Sequence, residues 1–591
     1  MSRVIFEDER PALQFDPGRA DVACVVGLVR YLGPAIPADV AAWMRARATA
    51  NWPQGLPLNP FVLQTVVLDT PIPANVQAWA DQATTSIPPA LQDWLKARGW
   101  LEGRYARDLD QLADVPIPVE SYAGFTALFD PGGSSASWGT DYVAAALRSF
   151  FAQGGKRCYL VRMGDPVAPT DDQPVSAQDN RTKKQAKLQS LLLDDSHDAS
   201  DPRTWHGVGH LAGLTDVSFL ALPDLAVLAA SQPAPAAGQV PVVPGGPEQF
   251  VECSQRDVTP QQSRVYASPA PRLTLADYQT WAESVGGILQ YLSSNGDGQS
   301  PHLREIQLVA GLPLPLDFDA ATAVENPSSA ALAQDIHDVI AEHLPEPEDQ
   351  SENFSAGKLS SAFLQLAYPW LKTTGSHVLL ESLEPPDGAL VGMLARNALT
   401  RGTFNSATRI VPAEVFDVWP ALPAPDTTSA LPPLIWDGSP KPLIERLSLF
   451  GFTPGGLQLL SDVTTYSGES YRPARTNRLV SVICRAARHL GENVIFESNG
   501  PELWGQIQTL LQQLMTRLWN LKALDGASTQ EAFSVRCDRS TMTQNDLDNG
   551  RLVAVLTFTA AGTVELIRVT LALQTSGASL QDIQAMQLEV G

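Results

Sequence analysis

The stretch from Pro501 to Ala523 constrains the fold more than any other. Leu503, Ile507, Leu510, Leu511, Leu514, Leu518 and Leu521 fall at i, i+4, i+7, i+8, i+11, i+15 and i+18, a continuous apolar stripe on one helix. Ser498 or Asn499 can cap it, and Pro501 suits its first turn. Such a stripe needs a surface to cover. Ile495 to Ser498 reads as a strand, while Ala532 to Asp538 and Asp546 to Val553 read as an antiparallel return pair. Residues 495–558 therefore predict a compact cassette, and it carries no nucleophile, metal cluster or phosphate loop.

The helix before it, from about Arg475 to Leu490, turns Leu479, Val480, Ile483, Ala487 and Leu490 to one side. At about 100° per residue, Arg475, Arg478, Arg485 and His489 gather on the opposite side, within roughly 80°. A basic stripe in an acidic chain is expected either to meet an acidic partner or to face solvent. Beyond the return pair, Val564-Glu565-Leu566-Ile567-Arg568-Val569-Thr570-Leu571 is strand-like without an obvious partner. Its edge calls for cover, from another chain or from the same domain.

Upstream, Asp21 to Val29 is a nearly continuous apolar run of strand length. Residues 33–115 are rich in Pro and Trp and hold helical pieces at Ala38–Ala48 and Pro89–Gly99. From Val115 an α/β pattern sets in. Val119 to Phe129 holds a short helix, and Thr140 to Gln153 a longer one whose Tyr142, Val143, Ala146, Leu147 and Phe150 share a face. Gly154-Gly155 stops that helix, and Arg157 to Met163 follows as a strand. Val217 to Leu222 is a further strand, ending at Pro223-Asp224, and Gln307–Val309 another. Helices are expected at 274–293, 327–343, 357–372 and 387–399, which implies a layered sheet flanked by helices. Residues 231–246, 344–351 and 421–433 read as loops or linkers, the last as the best domain boundary.

With 64 acidic against 41 basic side chains, the net charge is −23. That disfavours a duplex-binding surface, because phosphate contacts need clustered Lys and Arg. Cys24, Cys158, Cys253, Cys484 and Cys537 are scattered and odd in number, with no CxxC, so reduced thiols and assembly in a cytoplasm are expected. No apolar run near Met1 suits a signal peptide, and no window suits a membrane span.

Catalytic patterns are weak. Gly207-Val208-Gly209-His210-Leu211-Ala212 fits a loose dinucleotide fingerprint but lacks the strand before it, so a turn is the better reading. His206 and His210 have the spacing of zinc ligands on a helix, with glycines between them that oppose a helix. Asp194, Asp195, His197, Asp198 and Asp201 read as a solvated acidic loop. Gly357-Lys358 lacks the upstream glycine of a phosphate loop, and no GxSxG occurs. Hence no catalytic, cofactor-binding or metal residue is assigned and no cofactor is expected. A hydrolase built on the α/β layer, with His206 or His210, is the remaining enzyme alternative.

Four landmarks, in order, resemble the contractile tail sheath family of phage tails and bacterial contractile injection systems. They are Tyr142 to Tyr159 with its double glycine, Asp216 to Asp224 with its Pro-Asp end, Ala395-Arg396-Asn397-Ala398-Leu399-Thr400-Arg401-Gly402, and the cassette at 495–558. Asn397 stands where the family turn usually has Asp. The resemblance implies α/β and α+β domains: a mixed α/β sheath domain with insertions, and a smaller C-terminal α+β domain with exchanged terminal strands. It divides the chain into an N-terminal arm and first strand (1–31), an accessory segment (32–114), the α/β domain (115–420), a linker (421–435), a tube-facing domain (436–571) and an extension (572–591) without an assigned role.

By the same resemblance, the subunit stacks in rings around an inner tube and contracts to drive that tube through a target envelope. Arg3, Val4, Ile5 and Phe6 would form the N-terminal exchanged strand, and Val564 to Leu571 the C-terminal one. Arg475, Arg478, Arg485 and His489 would face the tube. Partners are copies of itself, the tube protein, and baseplate and cap proteins, without nucleic acid contact or membrane insertion. The particle is assembled in the bacterial cytoplasm and then either released or retained. The missing "P-G-V-Y" start and "P-A-E-F" entry, the latter replaced by Thr563-Val564-Glu565-Leu566, leave a specialised adaptor at baseplate or cap as the alternative.

Overall fold

The computed structural model describes residues 20–34, 36–48, 60–65, 71–101, 110–129, 140–167, 177–194, 196–231, 270–293, 300–315, 336–337, 339–340, 343, 359–427, 442–494, 499–561, 566–574 and 577–586. Short apolar strands dominate the middle of the chain: β1 (Ala23–Gly27), β2 (Pro116–Val119), β3 (Cys158–Arg162), β4 (Phe219–Ala221), β5 (Gln307–Gly311) and β6 (Leu364–Tyr368). They continue with β7 (Trp370–Thr373), β8 (Val415–Trp419), β9 (Ser448–Thr453) and β10 (Gly456–Leu459). Eight of these strands form one sheet in the order β10-β9-β6-β5-β4-β1-β3-β2. Its inner members run parallel, while β2 and β10 are antiparallel at the edges.

Strands buried on both faces carry apolar side chains to two cores. Cys24 and Val26 of β1 point to one, Ala23 and Val25 to the other. The helices α1 (Tyr142–Ala152), α2 (Leu275–Ser293) and α3 (Asp387–Thr400) cover these faces. α1 and α3 touch closely because Gly388 and Gly392 have no side chain. A Cβ on Gly392 would stand 2.5 Å from the Phe150 carbonyl oxygen, and one on Gly388 would collide with Ala146. The accessory helices Ala38–Ala48 and Ala74–Thr85 share a small core of Val40, Met44, Val76 and Trp79.

The predicted helix at 357–372 is absent; β6 and β7 occupy that stretch, around Pro369. A central parallel strand is apolar on both faces, so its sequence lacks alternation and reads like a buried helix. The expected helix at 327–343 falls largely outside the described residues, as do Ile495 to Ser498. The linker at 421–435 does not end the first domain. β9 pairs in parallel with β6 and carries β10, so the main sheet takes strands from both sides of it.

The C-terminal unit begins with α4 (Ala474–Val494) and α5 (Pro501–Asn520). These helices pack with an antiparallel sheet of β11 (Phe533–Arg536), β12 (Leu552–Thr559), β13 (Leu566–Gln574) and β14 (Gly577–Met586), in that order. The stripe that α5 buries is Leu503, Ile507, Leu511, Met515 and Leu518. Leu510 and Leu521 lie on its margin and stay exposed, because a helix on a sheet buries a narrower band than the sequence stripe. The architecture is mixed α/β, with one large sheet and smaller antiparallel ones.

Candidate functional site: buried charge at the two ends of the parallel sheet

α4 lies across the amino ends of β4, β5, β6 and β9, and it docks there through its arginines. Arg485 donates from Nε to Glu305 Oε2 at 2.9 Å, from Nη1 to Ser218 Oγ at 2.9 Å and from Nη2 to the Val217 carbonyl at 2.8 Å. Arg488 holds both oxygens of the same carboxylate, each at 2.8 Å, and donates to the Thr215 carbonyl at 3.1 Å. Two turns further back, Arg478 forms a two-pronged pair with Asp462, at 3.0 and 2.6 Å, and donates to the Thr403 carbonyl.

These charges are out of water: Glu305, Asp462, Arg478, Arg485 and Arg488 are all buried. Burial alone pulls the Glu305 carboxyl up, but the hydrogen bonds and charges of Arg488 and Arg485 outweigh it and hold it below its usual range. Asp462 behaves in the same way through Arg478. Backbone carbonyls and Ser218 accept further donors of the guanidinium groups, the condition under which a buried ion pair is tolerated.

The basic stripe therefore corrects one expectation. Arg478 and Arg485 face the neighbouring domain rather than solvent or a second protein, while Arg475 and His489 remain half-buried at the margin. The helical wheel located the basic side of α4 but could not say what covers it. Arg488, the strongest ligand of Glu305, was not singled out, because its acid lies 183 residues away.

At the carboxyl ends of the strands the situation is reversed. Asp224, just after β4, accepts the Leu28 N–H at 2.6 Å, and a Cβ on Gly27 would stand 2.5 Å from its Oδ2. Glu384 accepts hydrogen bonds from Ser149 and, at 2.9 Å, from Thr373. Asp387 opens α3. Burial pushes Glu384 up to about 8 and Asp387 up to about 7, and it raises Asp224 strongly as well. Among the described residues none of the three has a salt bridge. The carboxyl ends of an open parallel sheet are where such folds bind nucleotides. Here packed, acidic side chains fill the position, which is hostile to phosphate.

Gly207 to Gly213 forms 3₁₀ turns, with Gly207 against the Leu191 carbonyl, so it offers no phosphate loop. His206 Nδ1 and His210 Nε2 both meet the Asp114 carboxylate, at 2.5 and 3.0 Å, and the Gly207 N–H donates to it as well. The pair pins a loop in which Asp114 takes the left-handed conformation, φ 53°. Asp194, Asp198 and Asp201 cap local turns. Among the described residues no group of His, Cys, Asp and Glu could hold a metal ion, and no helix is long and apolar enough to cross a membrane. Asp195, Gly357 and Lys358 lie outside the described residues.

Arg3, Val4, Ile5, Phe6, Val564 and Glu565 are outside the described residues. Leu566 to Leu571 belongs to β13 and is no edge: β12 pairs on one side and β14 on the other, both within the chain. The residues without an assigned role, 572–591, include β14, which supplies the partner the sequence did not reveal.

No family model matches the chain, and no curated protein does. Among solved structures it is similar to a chain of the anti-feeding prophage baseplate: 18% identity, TM-score 0.44, covering 76% of this chain and 86% of that one. A chain of the contracted anti-feeding prophage helical sheath matches at 18% identity and TM-score 0.43, over 77% and 86%. A sheath tail protein from Desulfitobacterium hafniense matches at 13% identity and TM-score 0.30, over 51% and 53%.

Proposed function

We propose that the chain is a structural subunit of a contractile sheath, stacked in rings around an inner tube and without catalysis of its own. The observation that carries this is the meeting of the sequence landmarks. Gly154, with φ +101°, lies under the Arg396 side chain, 3.1 Å from a would-be Cβ. Hence the double-glycine landmark and the Ala395–Gly402 landmark form one contact through α1 and α3. Asn397 Nδ2 donates to the Asn405 carbonyl at 2.7 Å and so holds the turn where the family usually has Asp. The Pro-Asp landmark places Asp224 against Gly27 in the same layer. A helical sheath in its contracted state is named for one of the solved assemblies above; here the role rests on the chain's own residues.

A partner-facing surface is better supplied by α5 than by α4. Thr509, Gln512, Gln513, Thr516, Arg517 and Asn520 line a shallow concavity on its outer side. Between Glu502 and Asp525 the sequence has no acidic residue, in a chain of net charge −23. A face without acidic residues is where a strongly acidic subunit can approach an acidic partner with least repulsion.

Electron microscopy of the protein, alone and with a candidate inner-tube protein, tests the function. Striated tubes or rings are expected, and Gln513→Glu should weaken tube capture. A monomer under every condition would sink the proposal. A few copies per particle, rather than a continuous lattice, would make the chain an end-specific adaptor instead.

A further inference from the structure

Between the two arginine pairs lies a cavity of about 10 Å³, lined by Ser218, Glu305, Gln307, Thr403, Arg478, Ser481 and Arg485 among others. An amide relay reaches it from the Asp462 side. Gln365 Nε2 donates to Asp462 Oδ1 at 3.0 Å, and Gln307 Nε2 donates to Gln365 Oε1 at 3.0 Å. Asp462, held as a carboxylate by Arg478, can only accept; that fixes which end of Gln365 faces it, and in turn which end of Gln307 faces Gln365. Flipping either amide would set oxygen against oxygen. Gln307 Oε1 is thereby committed as an acceptor, buried and without a donor among the described residues. Thr403 Oγ1 is likewise buried without a partner among them. A buried polar atom left unmatched costs about 1–3 kcal/mol.

The space suits a single small ligand, since about 10–15 Å³ is the threshold for one water. Among the described residues three arginines, Arg478, Arg485 and Arg488, pair with two carboxylates, Asp462 and Glu305, a count that by itself favours an anion. The hydrogen-bond polarity opposes one: an anion would sit against Gln307 Oε1 and the Glu305 carboxylate and could donate to neither.

We propose that this cavity is a binding site for one ordered water, which donates to Gln307 Oε1 and accepts from the Thr403 hydroxyl. Its second hydrogen is donated to the Glu305 carboxylate, which lines the same cavity, so the water joins the Asp462–Arg478 pair to the Glu305–Arg485 pair and the two act as one network across the domain junction. Gln307 is then a positioning residue whose amide, rather than its bulk, carries the coupling.

The test is a double-mutant cycle on the full chain, combining Arg478→Lys with Glu305→Gln in the native background and again with Gln307→Met. Unfolding equilibrium constants should show a coupling of about five-fold or more in the first case and close to none in the second. Where Glu305→Gln fails to fold, Ser218→Ala removes one hydrogen bond of Arg485 and takes its place. A crystal grown in bromide supplies a second readout. A water within hydrogen-bond distance of Gln307 Oε1 is expected. An anomalous bromide peak there, an empty cavity, or coupling that survives Gln307→Met would each overturn the proposal.

Discussion

At the amino end of the parallel strands, Glu305 and Asp462 each lie buried against arginine; at the carboxyl end, Asp224, Glu384 and Asp387 lie equally buried and have no salt bridge among the described residues. The same side-chain chemistry therefore carries opposite charge states in one sheet. Glu305 and Asp462 are held ionised and do the work of joining α4 to the sheet. Asp224, Glu384 and Asp387 are pushed toward the neutral acid and serve as hydrogen-bonding filler between α1, α3 and the strands. What separates the ends is whether a guanidinium accompanies the acid, since burial disfavours charge at both.

Substitutions can break this contrast. Glu305→Gln strands Arg485 and Arg488 in the interior and should cost about 3–5 kcal/mol, read as a large fall in the urea-unfolding midpoint. Gly388→Ala presses a methyl group into Ala146 beside the carboxyl end and should cost about 1–3 kcal/mol. Thr543→Ala, remote from both ends, removes the capping box that Thr543 shares with Asp546 and should cost about 1 kcal/mol. Smallest of all, Glu384→Gln should change stability by under about 1 kcal/mol near pH 4, where the carboxyl is neutral in the folded and largely neutral in the unfolded chain and is replaced by a neutral isostere. If Glu384→Gln proved as costly as Glu305→Gln, the contrast between the ends would be lost.

Much of the local structure was legible in the sequence. The periodicity around Leu479 to Ala487 and the double glycine after Phe150 marked α4 and α1 close to their observed spans, and α5 was placed with only its exposed margin misjudged. β6 was misread as a helix because burial on both faces erases the alternation that identifies a strand. Charge was legible as a pattern but not as a pairing. The wheel put Arg478 and Arg485 on one side of a helix, yet nothing in sequence linked them to Asp462 or to Glu305. His206 and His210 stood out together, whereas Asp114, which holds both, lies more than ninety residues upstream. Likewise β13 seemed an open edge because its second partner, β14, has no alternating apolar pattern of its own.

The most direct measurement is the urea-unfolding midpoint between about pH 2 and pH 9 for the native chain, Glu305→Gln and Glu384→Gln. At the carboxyl end the folded values are raised, to about 7 for Asp387 and about 8 for Glu384. Their contribution is complete below the unfolded carboxylate range, near pH 4, and is lost as pH rises through 7 to 8. The loss amounts to about 1.4 kcal/mol per pH unit for each group. At the amino end the folded values are lowered, so that contribution is present above about pH 4 and is lost as pH falls through the folded values. The native chain should thus lose stability on both flanks, with Glu384→Gln relieving the alkaline flank and Glu305→Gln flattening the acid one. A native profile without alkaline loss, or flanks that neither substitution alters, would contradict the assignment of opposite charge states to the two ends of the sheet.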